Sequence, residues 1–171
     1  MSEHKRGTNE TGAAGVFAVC AQLAQRGWFA SPTLGNTPRT DILAQVGDSL
    51  RPAAIQVKTK SEHSKDFRPS VSGYSAPDAN EWAILVALSE DDVADFFVMP
   101  RDHLVAAVRA FDNTKGGQTF LGPQEFESYR GNWDLLEEPS WKADWGMLRD
   151  WIRDNTDDST WPSGREPFPL G

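Results

Sequence analysis

Three side chains of this chain have the types needed to handle a phosphodiester: the carboxylate of Asp41 and, fifteen positions later, the amide and ammonium of Gln56-Val57-Lys58. A carboxylate and an amide oxygen suit a hard divalent cation, and a nearby ammonium stabilises charge that develops at phosphorus. Whether they act together depends on the elements that carry them.

Residues 40–46 and 53–59 are β-branched and apolar runs joined by the turn-rich Gly47-Asp48-Ser49-Leu50-Arg51-Pro52, so an antiparallel hairpin is expected. Side chains alternate along a strand, so Gln56 and Lys58 point one way while Ile55 and Val57 point the other, into packing. Asp41 need only share the polar face. Upstream, Gly15 to Leu23 reads as a helix with Val16, Val19, Cys20 and Leu23 on one apolar stripe. Asn9 is a candidate N-cap and Gly27 a stop, and Trp28-Phe29-Ala30 opens the first strand.

Downstream, residues 60–79 are polar and rich in Ser, Pro and Gly, as a long loop beside the site would be. Trp82 to Leu88 is a continuous apolar run and reads as a central strand buried on both faces, and Phe96 to Met99 as its neighbour. Asp102 caps a helix through Phe111, with Leu104, Val105, Val108 and Phe111 turned inward, before Gly116-Gly117 breaks the pattern. Ser140 caps a last helix whose Trp141, Trp145, Leu148 and Ile152 form an apolar stripe, suited to core packing or a homodimer seam rather than to stacking on bases. The fold class expected is α/β: a central mixed β-sheet flanked by helices, with a C-terminal helix. One domain spans residues 8–155, with tails at 1–7 and 156–171.

The order helix, strand, Asp-bearing strand and strand ending in "IQVKTK" resembles the PD-(D/E)XK nuclease superfamily, in the Gln-x-Lys variant of its resolvase-like and intron-endonuclease-like members. The resemblance runs over about residues 8 to 100. It rests on "QLAQRGW", "GNTPRTDILA" and "IQVKT", and "FFVMP" and "NWDLL" extend it. It implies a restriction-endonuclease-like core and a DNA endonuclease dependent on Mg²⁺ (or Mn²⁺). Asp41, Gln56 and the Val57 carbonyl would hold the metal, and Lys58 would orient or activate the attacking water. Relatives carry a Gly-Glu pair in the first helix. Here Gly15-Val16 stands in that place, so the helix acid is missing and Glu10 is the nearest substitute, six residues or about 9 Å of helical rise away. Glu62 and Asp48 are further acids with nothing to single them out.

Charge narrows the partner. Seventeen Lys and Arg against twenty-five Asp and Glu leave a net charge of -8, so no diffuse positive field surrounds the chain, and DNA must meet a local patch. Arg51, Lys58, Lys60, Lys65 and Arg68 gather between residues 51 and 68, mostly in and after the Lys58 strand, and Arg39 precedes Asp41. Lys60, Lys65, Arg68 and Arg39 are the expected nucleic-acid contacts. Residues 81–102 and 133–158 are acidic and should repel DNA. No apolar run approaches a membrane span and no signal peptide pattern follows Met1, so a cytoplasmic protein without a membrane partner is expected. The single Cys20 excludes an internal disulfide, and His4, His63 and His103 are scattered, as surface residues would be.

Two functions from different classes fit these residues. One is a metal-dependent endonuclease. The other is a catalytically degenerate descendant that binds a protein or nucleic acid through the old cleft, in which Asp41 and Lys58 form no more than a structural ion pair. A second carboxylate beside Asp41 favours the first, and apolar packing of Val16 into that corner favours the second.

Overall fold

The computed structural model describes residues 7–34, 39–47, 52–69, 80–91, 93–112, 119–138, 140 and 146. Helix α1 (Thr8–Gln25) leads into strands β1 (Trp28–Pro32), β2 (Ile42–Val46), β3 (Ala53–Lys60), β4 (Glu81–Leu88) and β5 (Ala94–Pro100), followed by α2 (Arg101–Asp112) and the 3₁₀ helices η1 (Pro123–Tyr129) and η2 (Trp133–Glu137). The five strands form one sheet in the order β1-β2-β3-β4-β5. Only β3 and β4 run parallel; the other neighbours are antiparallel, so the sheet is mixed as expected. Parallel neighbours need a long crossover, which is why the chain spends residues 61–80 between them.

Each face of the sheet carries its own core. On one face α1 lays Val19 and Leu23 over Ile42, Ile55, Val57, Trp82, Ile84 and Val98, with Val16 and Cys20 at the margin. Burial pushes the Cys20 thiol pKa up, as suits a packing residue. On the other face α2 and η1 cover Ala83, Leu85, Phe97 and Met99 with Leu104, Ala107, Val108 and Phe126. Six successive residues of β4 are therefore buried, whereas β3 alternates: Ala53, Ile55 and Val57 are buried, and Ala54, Gln56 and Lys58 are half-buried. Helix α2 packs chiefly on β4 and β5, and the polar side chains of β3 beyond them are half-buried.

The loop after β3 is pinned rather than free. Phe67 is 1 % exposed, exchanges backbone hydrogen bonds with Leu121, and packs edge-on against Phe97 and Phe126 at ring separations of 5.9 and 6.4 Å. A lone aromatic in a polar loop had no periodic neighbours to announce this anchor.

Local details differ from expectation at three places. Helix α1 starts earlier, with Gly7 rather than Asn9 at its N-cap; it ends where expected, before Gly27 at φ 80. Asp102 lies in the first turn of α2, because the helix begins at Arg101 directly after β5. His103 is no surface residue: it is 1 % exposed, with Nδ1 2.8 Å from Tyr129 Oη. The expected C-terminal helix, its tryptophan stripe, the tail, Asp48 and Arg51 lie outside the described residues, apart from Ser140 and Gly146.

The approach of α1 to β3 is set by Gly15. A Cβ built there would stand 1.9 Å from Thr59 Oγ1, whereas one at Gly12 meets nothing within 4 Å. Gly12→Ala is therefore expected to stabilise the protein by up to about 1 kcal/mol through helix propensity. Gly15→Ala should lose that gain and destabilise by about 1–3 kcal/mol through overpacking. Urea denaturation of the two variants gives the comparison.

Candidate functional site

Asp41 stands immediately ahead of β2 and is held at three points. Its N–H donates to the Ile55 carbonyl at 2.9 Å, its carbonyl accepts from the Thr33 N–H at 2.9 Å, and its Oδ2 accepts from the Val57 N–H at 2.8 Å. The ladder between β2 and β3 ends at Ile42 opposite Ile55, so no residue of β2 faces Val57 and the Asp41 carboxylate takes that position. A strand N–H lies in the sheet plane, which puts this carboxylate at the bared edge of β3. Gln56 and Lys58 leave the strand on either side of the bond, roughly 7 Å apart. In an extended strand the N–H and C=O of one residue point to the same side, so the Val57 carbonyl looks over the same edge. The four positions expected from sequence thus meet along three consecutive residues of β3. Asp41 and Lys58 form no ion pair with each other; the carboxylate is engaged by backbone instead.

The donor set is one carboxylate and two neutral oxygens. Among the described residues no three His, Cys, Asp or Glu side chains cluster so as to hold a metal. Mg²⁺ is commonly held by one or two carboxylates together with substrate phosphate and several waters. These residues therefore fit a single ion completed by substrate and water, and fit a two-ion cage poorly.

The acids considered as supplements are engaged elsewhere. Glu10 is exposed in the first turn of α1 and folds back over Gly7, where a Cβ would lie 2.5 Å from its Oε2. An acid there complements the positive end of its own helix. Glu62 lies 3.9 Å from His63 Nε2 in the loop after β3. Val16 is partly buried against the apolar cluster beneath α1, which includes Val57. Helix α1 packs chiefly on β1 and β3 and so passes over the start of β2, where Asp41 sits. Val16→Glu is accordingly expected to tighten Mn²⁺ binding about tenfold, with about 1–3 kcal/mol of stability lost to a polar group on an apolar stripe. Calorimetric Mn²⁺ titration checks this, and an unchanged affinity would remove α1 from the site.

Basic residues lie on both sides of Asp41. Arg39 is exposed two residues upstream. Lys58 and Lys60 share one face of β3, both half-buried, with Lys60 Nζ donating to the Ser64 carbonyl at 2.9 Å. Lys65 and Arg68 follow in the pinned loop, exposed, with the Arg68 guanidinium 5.2 Å from the Phe120 ring centroid.

Sequence reasoning missed Arg101 and Glu81. Arg101 is 5 % exposed; its Nη1 donates to the Arg39 carbonyl at 2.9 Å and its Nε lies 3.7 Å from Glu81 Oε2. Burial lowers the guanidinium pKa; Glu81 raises it, and the nearby charges of Arg39 and Asp41 act in opposite senses. Both residues were counted by sign within an acidic stretch. Only the register, which places Glu81 beside Ala54 of β3, brings them to the site.

A five-stranded mixed sheet with a helix packed on each face defines an α/β fold. The bacterial homing endonuclease I-Ssp6803I has a similar solved structure, with a TM-score of 0.53 and 20% identity, covering 81% of this chain and 97% of that one. The likeness at that identity is one of fold. No family model and no curated protein matches the chain. No helix among the described residues is long and apolar enough to cross a membrane.

Proposed function

We propose that this protein is a metal-dependent DNA endonuclease of the PD-(D/E)XK superfamily, in its Gln-x-Lys variant. The observation that supports the reading is the bond from the Val57 N–H to Asp41 Oδ2, which holds a carboxylate level with Gln56 and Lys58 where the β2–β3 ladder has ended. Asp41, the Gln56 amide oxygen and the Val57 carbonyl would hold Mg²⁺ or Mn²⁺, which when bound polarises the scissile phosphate. Lys58 brings a positive charge on a rigid strand to the oxygens where negative charge develops, and Arg39, Lys60, Lys65 and Arg68 pair with flanking phosphates.

A specific observation favours a second reading. Val16 packs among apolar side chains and Glu10 folds onto its own helix start, so neither supplies the second acid. In that reading the same basic rim binds nucleic acid without cutting it.

The test is an assay on supercoiled, linear, branched and single-stranded DNA with Mg²⁺, with Mn²⁺ and with chelator. Metal-dependent cutting is the expected result. Binding measured across a salt series, with affinity falling steeply as salt rises but no cutting with either ion, would overturn the nuclease reading in favour of the second.

A further inference from the structure

The turn that delivers Asp41 is held from across the sheet. Arg39 adopts φ 68, a left-handed conformation uncommon for a residue with a side chain, and such a backbone persists only where its surroundings hold it. Its own carbonyl and the next two are each engaged. Thr33 Oγ1 donates to the Thr40 carbonyl at 2.7 Å, the Thr33 N–H donates to the Asp41 carbonyl at 2.9 Å, and Arg101 Nη1 donates to the Arg39 carbonyl at 2.9 Å. The first two donors come from the neighbouring strand end. The third comes from the start of α2, sixty-two positions away in sequence.

The register explains how an arginine reaches so far. Leu43 lies opposite Ala54, and Ala54 lies beside Glu81. Continuing the β4–β5 ladder one residue past Trp82 and Pro100 sets Glu81 opposite Arg101. The two neighbours on this face, Ala54 and Ala83, carry only methyl groups, which leaves room for the guanidinium to run across the sheet end. Glu81 lies along that path, 3.7 Å from Nε.

We propose that Arg101 is a positioning residue for the candidate site: oriented by Glu81, it holds the Arg39 carbonyl and so fixes the Arg39–Asp41 turn that keeps Asp41 Oδ2 on the Val57 amide. The role deepens the nuclease reading, on which the word site rests, but its main signature is independent of cleavage. If the turn loosens, the Val57 N–H loses its acceptor while the centre of the sheet stays closed.

The experiment is amide hydrogen exchange by NMR on the full chain, comparing Val57 with Ile84 and Leu85 in the parent, Arg101→Met, Arg101→Lys, Glu81→Gln and Asp41→Ala. Asp41→Ala sets the ceiling for Val57 exchange. Arg101→Met is expected to raise Val57 exchange at least tenfold toward that ceiling, with Ile84 and Leu85 near their parental rates. Arg101→Lys, which keeps a donor, should restore part of the protection, and Glu81→Gln should give a smaller loss. Val57 exchange that is unchanged, or that accelerates only in step with Ile84 and Leu85, would overturn the proposal. Should Arg101→Met not fold, the same comparison in Arg101→Lys and Glu81→Gln decides. In cleavage, Arg101→Lys should lower kcat with KM unchanged. A parent that never cuts DNA, together with selective loss of Val57 protection in these variants, would end the nuclease reading and leave the positioning role standing.

Discussion

Asp41→Asn is expected to abolish DNA cleavage while the fold stays near parental stability, and Asp41→Ala to lose both cleavage and some stability. The asparagine keeps an oxygen that can accept from the Val57 N–H but carries no charge, and Asp41 is the only acid in the proposed donor set. The alanine removes the acceptor as well. A part-buried N–H left without its partner costs about 1–3 kcal/mol. Reading cleavage and urea denaturation on both variants separates the charge of Asp41 from its hydrogen bond. Equal loss of activity with unequal loss of stability is the expected pattern. Cleavage surviving Asp41→Asn would place the acid elsewhere. DNA affinity should hold or rise in both, since a negative charge beside a phosphate path has been removed.

How much of this was legible in the sequence follows from where the information lies. The helix stripe of Val19 and Leu23, the alternation of β3 and the continuous apolar run of β4 are local periodicities, and each element forms where its pattern stands. The 3₁₀ helices η1 and η2 are too short to show a helical period, and the sequence gives no such signal for them. Buried His103 escaped notice because the surroundings of a polar residue are decided by what packs on it: here Tyr129, from a distant segment, supplies both a hydrogen bond and a ring edge. At the site, residue types and strand parity sufficed to group Gln56 with Lys58. The bond from Val57 to Asp41 and the reach of Arg101 depend on register between segments, which no local pattern encodes.

On the proposed function, an acidic chain has to offer DNA a local surface. Several acids that look free in sequence are paired in place: Asp95 and Glu127 both pair with Arg130, whose pKa they raise, the Glu127 hydrogen bond contributing most, and the trio keeps one net negative charge. Glu81 lies against Arg101. Lys58 and Lys60 meanwhile share one face of β3, and Lys65 and Arg68 stand exposed in the pinned segment after it. On the proposed function, local sign rather than net charge would govern the encounter with a phosphate backbone.

Lys58→Ala is expected to lower kcat by about 10²–10³-fold with little change in DNA affinity, the signature of a charge that acts on the transition state. Its geometry sets it apart from the other basic residues. Lys58 is half-buried on a strand and lies level with Leu85 of β4, so its stem has apolar support, whereas Lys65 and Arg68 stand exposed in the loop. Since it makes no ion pair with Asp41, truncation leaves that carboxylate on its backbone partner, and urea denaturation of the variant separates a fall in activity from misfolding. Lys65→Ala and Arg68→Ala should behave in the opposite way, weakening DNA binding uniformly and each reducing the slope of log affinity against log salt by about one, with kcat preserved. Lys58→Arg restores the charge but spreads it over a larger planar group, so only partial recovery of kcat is expected. If Lys58→Ala instead shifts the salt dependence and spares kcat, Lys58 is one more phosphate contact and the chemistry needs another cation.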